Sequence, residues 1–188
     1  MANEWKVTEY NSTETDTQSN GDKTVYTTTM TESNYTYTTA STSNGSTTTT
    51  TSTATVNMNE MTIEKDGTWT STRDISSTSN GITQKLTTTT SGTWAFVGKT
   101  KGDEFKKNER VMFNTLSETN TQVVSFGGSS QTTTSTDTYM TGENVMIYTV
   151  TESKGKELAL EAEMGNSSTT GSSTNSTSGK TTIKLAEK

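Results

Sequence analysis

The chain has 188 residues and a formal net charge of −6; 49 residues are threonine and 24 are serine, whereas histidine, cysteine and proline are absent. Without histidine or cysteine the chain cannot build Ser-His-Asp triads, Cys-His pairs or most zinc sites, and its acidic balance lacks the basic stripe that nucleic-acid binding needs. Threonine is β-branched and favours a half-exposed sheet surface, so the composition predicts an all-β protein with one domain over residues 1–188.

Short alternating apolar runs separated by turn signals predict a meander of strands in the first third of the chain. The Asn-Gly and Asp-Gly dipeptides tolerate the positive φ that tight hairpins require. The first strand begins with Trp5-Lys6-Val7, and the second runs from Lys23 and continues, with a bulge near Asn34, to Thr42. After a turn at Asn44-Gly45, a third strand contains Val56.

The strongest hairpin signal of the chain lies at Lys65-Asp66-Gly67, between an apolar strand and a strand with Trp69. A charged loop at Lys99–Arg110 interrupts the later strands. These later strands are predicted at Ile82–Thr90, Trp94–Val97, Val111–Phe113, Val123–Val124, Tyr139–Met140, Val145–Val150, Leu158–Met164 and Thr181–Leu185.

Three segments depart from this simple meander. Residues of Glu157–Met164 are good helix formers, but the alternation of Leu158, Leu160, Ala162 and Met164 favours a strand. A short helix is an option near Gly102–Asn108. Gly165–Gly179 contains only Gly, Asn, Ser and Thr, which predicts a flexible, exposed loop.

Eight to ten sequential antiparallel strands without proline predict an up-and-down β-barrel. Closure also removes the free edges that long threonine-rich strands with few charges would otherwise expose.

No local motif supports catalysis, and neither a cofactor nor a metal ion is expected. Ser153-x-x-Lys156 lacks the companion elements of penicillin-binding enzymes and is interpreted as a turn. Gly98-Lys99-Thr100 and Gly179-Lys180-Thr181 lack the upstream glycine of a phosphate-binding loop. No stretch approaches the roughly 18 apolar residues of a transmembrane helix. The chain is therefore predicted to be no enzyme and to have no transmembrane segment.

The motif Gly-Thr-Trp occurs twice, 25 residues apart, in Asp66-Gly67-Thr68-Trp69 and in Ser91-Gly92-Thr93-Trp94. With the Trp5-Lys6-Val7 opening and Glu109-Arg110-Val111-Met112, they resemble a bacterial lipocalin-like family of small surface or secreted lipoproteins of Gram-negative bacteria. The resemblance covers residues 3–10 and 58–116. It implies a lipocalin-like barrel of about eight to ten strands and an extracellular or outer-membrane surface location, with the leader absent from this sequence.

The first functional hypothesis is a barrel that binds a small hydrophobic molecule, because inward-facing aromatic and aliphatic side chains can line a cavity. The alternative for each of these residues is that it simply fills the core. The candidate lining residues are Trp5, Tyr26, Trp69, Trp94, Phe96, Phe113, Ile147 and Tyr148.

The second hypothesis is a structural protein that associates with itself or with a surface. Rows such as Thr13, Thr15 and Thr17 present ladders of methyl and hydroxyl groups, which suit β-augmentation or contact with a glycan. A glycosylated stalk is a third option, but such stalks usually contain proline.

Overall fold

The structure is a computed structural model that describes residues 1–98, 109–170 and 173–188. Its strands are β1 (Asn3–Thr17), β2 (Lys23–Thr31), β3 (Asn34–Ser43), β4 (Ser46–Ile63), β5 (Thr68–Ser79), β6 (Ile82–Phe96), β7 (Arg110–Phe126), β8 (Ser129–Thr138), β9 (Val145–Lys154), β10 (Glu157–Thr170) and β11 (Ser173–Glu187). The all-β, antiparallel prediction is confirmed: the eleven strands form one antiparallel sheet. No helix of the described ranges is long and apolar enough to cross a membrane.

Eight strands close on one another near the chain termini. Asn3–Lys6 of β1 pairs with Glu60–Ile63 of β4, and the pairing continues from β4 through β5, β6, β7, β9, β10 and β11 back to β1. We call this closed set of paired segments the ring.

Beyond the ring the same strands continue as a broader sheet, which we call the extension. It consists of β2, β3, β8 and the distal parts of β1, β4, β5, β6, β7, β10 and β11. Across the extension the strand order is β8-β7-β6-β5-β4-β3-β2-β1-β11-β10, and no pairing among the described residues joins β8 to β10. The extension is therefore an open sheet with two edges.

Bulges keep the apolar side chains on the inner face of the ring. The register shifts by one residue between Val7 and Glu9 of β1 and between Val56 and Met58 of β4. A residue added to one strand reverses the alternation beyond it. As a result Val7 and Tyr10 share the inner face, although an odd and an even position of a regular strand would point to opposite faces.

The main core lies inside the ring, where Ile63, Val111, Leu160 and Leu185 are all but inaccessible to solvent. Trp5, Val7, Met61, Trp69, Phe113 and Leu158 complete this cluster. A second, smaller cluster of Met30, Val56 and Ile75 lies at the junction with the extension.

Several boundaries differ from the sequence-based predictions. The region near Asn34 is a tight turn between two strands rather than a bulge, and the Asn34 amide donates a hydrogen bond to Thr31 Oγ1 at 3.1 Å. The prediction of a loop over Gly165–Gly179 was wrong for residues 165–170 and 173–179, because β10 and β11 pair from Glu157–Ala186 to Thr170–Ser173; residues 171 and 172 lie outside the described residues. Polar strands without an apolar face carry no periodic signal. The strand prediction for Leu158–Met164 is confirmed. The helix option near Gly102–Asn108 lies outside the described residues.

Candidate functional site

A cavity of about 240 Å³ opens inside the ring, between the main core cluster and the junction with the extension. Each of the eight ring strands contributes at least one lining residue, and Met30 of β2 lines the cavity on the side of the extension. Because a single cavity is surrounded by the inner face of every ring strand, its shape depends on ring closure. Its size is below the roughly 300 Å³ at which pockets for drug-sized ligands begin, so it suits a small molecule.

Three aromatic residues predicted as lining residues come together in the cavity wall. Trp69 and Phe113 pack edge to face at 5.3 Å between ring centroids, and Phe113 and Tyr148 pack likewise at 5.9 Å. All three line the cavity. Burial raises the pKa of the Tyr148 phenol, and the nearby Tyr10 adds to the shift. Tyr148 therefore stays neutral where a free tyrosine would ionise.

Two other predicted lining residues lie on the inner face but away from the cavity. Trp5 is 5% exposed within the main core cluster, and its Nε1 donates to the Met1 carbonyl oxygen at 2.9 Å. Tyr26 lies in the extension, opposite Glu14, and stacks on Tyr37 at 6.5 Å. The prediction that these two residues line the cavity was wrong. A residue on the inner face lines the cavity only if it also lies at the level of the cavity along its strand.

Trp94 and Phe96 also share the inner face, since they pair with Phe113 and Val111. They lie toward the end of the ring that the β4–β5 turn covers, where Trp94 Nε1 donates to the Glu64 carbonyl oxygen at 2.8 Å. Phe96 is 54% exposed there. Neither residue reaches the cavity.

Ile147 was wrongly predicted to face inward. It pairs with Met112, whereas its neighbours Met146 and Tyr148 pair with the buried residues Phe113 and Val111. Adjacent residues of a strand point to opposite faces, so Ile147 and Tyr148 cannot both line one cavity. Met146 lines it instead.

The polar part of the wall was missed by sequence reasoning. Arg73, Thr88 and Glu118 line the cavity on the side facing the extension. Arg73 Nη2 lies 3.5 Å from Thr88 Oγ1, which in turn donates to Asn120 Oδ1 at 2.8 Å. The available signal was parity, because Arg73 is four residues after Trp69 on the same strand and must share its face.

Nowhere in the described ranges do three or more acidic side chains come together as a possible metal site. The remaining lining residues of the cavity include Met61, Thr90, Leu160 and Ile183, together with the amide side chain of Asn59.

Comparison of the chain with protein-family models, with curated proteins and with solved structures finds no match.

Proposed function

We propose that this chain is a non-enzymatic, lipocalin-like β-barrel protein that binds a small, largely apolar molecule in the cavity of the ring. The observation that carries the proposal is the cavity of about 240 Å³ inside the ring, whose wall contains the packed aromatic residues Trp69, Phe113 and Tyr148. Rigid aromatic surface combined with a few polar groups is typical of small-molecule sites.

The resemblance to bacterial lipocalin-like lipoproteins supports a location outside the cell or on the outer-membrane surface as part of this proposal. The lack of histidine and cysteine supports a binding role over a catalytic one, because most general bases and nucleophiles need those side chains.

The test is an equilibrium titration of the protein with 1-octanol, a small uncharged amphiphile. Calorimetry measures the binding. Saturable binding of one molecule per chain is expected. Ser71→Phe places a phenyl ring in the cavity and should abolish binding, whereas Thr72→Phe adds the same ring to the opposite face of β5 and should not. Absence of saturable binding by the wild type up to the solubility limit of the probe would refute the proposal.

Self-association through β8 is a second candidate function, favoured by a separate observation. All ten residues of β8 are exposed, and β8 pairs only with β7 among the described strands. Natural edge strands are usually protected by lysine, proline or a bulge. Within β8 the only charged residue is Asp137.

Sedimentation velocity over a wide concentration range tests the second candidate. If the β8 edge pairs with another copy, Thr132→Lys combined with Thr134→Lys should shift the population toward monomer. Thr47→Lys with Thr49→Lys, on the exposed but internally placed strand β4, is the matched control. A wild type that is monomeric at every concentration would exclude this function.

A further inference from the structure

The indole N–H of Trp69 is buried and has no hydrogen-bond acceptor. The other two indole groups differ, since Trp5 and Trp94 each donate to a backbone carbonyl. Gly92 lies directly opposite Trp69 on β6, and a Cβ there would lie 3.0 Å from Trp69 Nε1. Because buried donors are nearly always satisfied, an unmet indole N–H in a cavity wall calls for an acceptor.

Arg73 carries a second unmet donor in the same cavity. Its Nε is buried without a partner, and its sole hydrogen bond is the long one from Nη2 to Thr88. Arg73 forms no ion pair with any carboxylate of the described chain. Lysines at the ring surface behave differently, as Lys184 contacts Glu9 at 2.7 Å and Lys180 contacts Glu161 at 2.8 Å.

The unmet hydrogen-bonding groups of the cavity wall are therefore donors, and one of them belongs to a cation. Glu118 also lines the cavity, but it is not within ion-pairing distance of Arg73, and its Oε1 accepts a hydrogen bond from Asn120 Nδ2 at 3.0 Å. No buried side-chain acceptor in the cavity wall lacks a donor. A guanidinium group matches a carboxylate in both geometry and charge.

Arg73 and Trp69 are four residues apart on one face of β5, about 13 Å between Cα atoms, and both side chains are long. Both residues line the same cavity. The apolar remainder of such a ligand would lie against Phe113, Tyr148 and Leu160.

We propose, building on the ligand-binding function above, that the natural ligand is a small apolar carboxylate whose oxygens accept hydrogen bonds from Arg73 and Trp69. The carboxylate neutralises the guanidinium, and the short hydrocarbon chain occupies the aromatic part of the cavity. The size of the cavity selects medium-chain over long-chain acids.

Three probes of equal chain length separate the parts of this proposal: octanoate, 1-octanol and octylammonium. Octanoate should bind at least about tenfold more tightly than 1-octanol, the ratio expected from one charge-assisted hydrogen bond, and octylammonium should bind weakest. Arg73→Gln should remove the preference, so that octanoate and 1-octanol bind with equal affinity, whereas Arg73→Lys should retain part of the preference. Lys85→Gln removes a cation that is paired with Asp74 on the opposite face, and should retain all of it.

Amide and indole NMR spectra give a second readout that also reports folding. The chain has three tryptophans, so three indole N–H signals are expected. Octanoate should move the signal that Trp69→Phe removes, and should leave the other two in place. Equal affinity for octanoate and 1-octanol, or a preference that survives Arg73→Gln, would overturn the carboxylate proposal while leaving the apolar-ligand function intact. Absence of binding by both probes would overturn both proposals.

Discussion

Gly92→Ala should destabilise the protein by a clash that no rotamer change relieves. A Cβ at position 92 would lie 2.0 Å from the carbonyl oxygen of Asn114 and 2.9 Å from its carbonyl carbon. Asn114 is 2% exposed, and its Oδ1 accepts a hydrogen bond from the Gly142 amide at 2.8 Å, so this part of β7 is held in place. The backbone of β6 or β7 must therefore shift.

Forced backbone shifts of this kind cost about 3 kcal/mol. For a chain of this length, such a loss corresponds to a melting temperature lower by about 6–12 °C. Gly165→Ala is the matched control, because Gly165 is also in a strand but a Cβ there meets no atom within 4 Å. That control should be neutral or stabilising by up to about 1 kcal/mol. Gly179→Ala, with a Cβ 2.7 Å from the Thr13 carbonyl oxygen, should fall between the two.

Urea unfolding followed by circular dichroism measures all three variants, and an unchanged m-value would show that the midpoints can be compared. If Gly92→Ala and Gly165→Ala differ by less than about 0.5 kcal/mol, the register that places Gly92 beside Asn114 is wrong.

Leu160→Ala removes a side chain that is 1% exposed between the core and the cavity, and should cost about 2–5 kcal/mol in urea unfolding; a loss below 1 kcal/mol would contradict the packing inside the ring. Because the pKa of Tyr148 is raised by burial, its contribution to stability is complete below the unfolded pKa near 10 and is lost as the pH rises above it. Tyr148→Phe should therefore lose less stability than the wild type between pH 9 and 12, and parallel curves would count against this. In hydrogen exchange, amides of the exposed segment 46–53 should exchange well before those around Ile63, and uniform protection would show that the extension and the ring unfold together.

Sequence reasoning succeeded where one face of a strand is buried. Trp69, Phe113 and Tyr148 were predicted to line a cavity because they stand in alternating apolar runs, and the structure brings these three together. The Asp66-Gly67 hairpin joins β4 and β5 as expected, with Gly67 at a φ of 89°. Alternation and turn chemistry are local properties, so they can be read without knowing the fold.

The rest depended on long-range pairing. β8 was missed because its residues are exposed on both faces, and a strand without a buried face shows no alternation. Bulges in β1 and β4 reverse which residues face inward. Arg73 shares the face of Trp69 on β5, but only closure of the ring makes that face part of a cavity wall. Height along the ring, which separates Trp94 and Phe96 from the cavity, follows from strand register and has no local signal.

The threonine content reflects the demands of the extension rather than those of the cavity. On its outer face, threonines of neighbouring strands stand opposite one another, as in the rungs Thr13–Thr27–Thr38–Thr51 and Thr72–Thr89–Thr119–Thr136. Such cross-strand pairs contribute about 0.2–1 kcal/mol each, and hydroxyl contacts such as the one of 3.2 Å between Thr38 and Thr51 belong to them. A sheet exposed on both faces gains little from apolar burial, so many small contributions of this kind must hold it together. The inner face of the ring depends instead on buried apolar side chains, because a cavity keeps its shape only when the core residues around it are closely packed. The commonest residue of the chain therefore builds the sheet, and the few aromatic and charged residues of the inner face line the cavity of the ring.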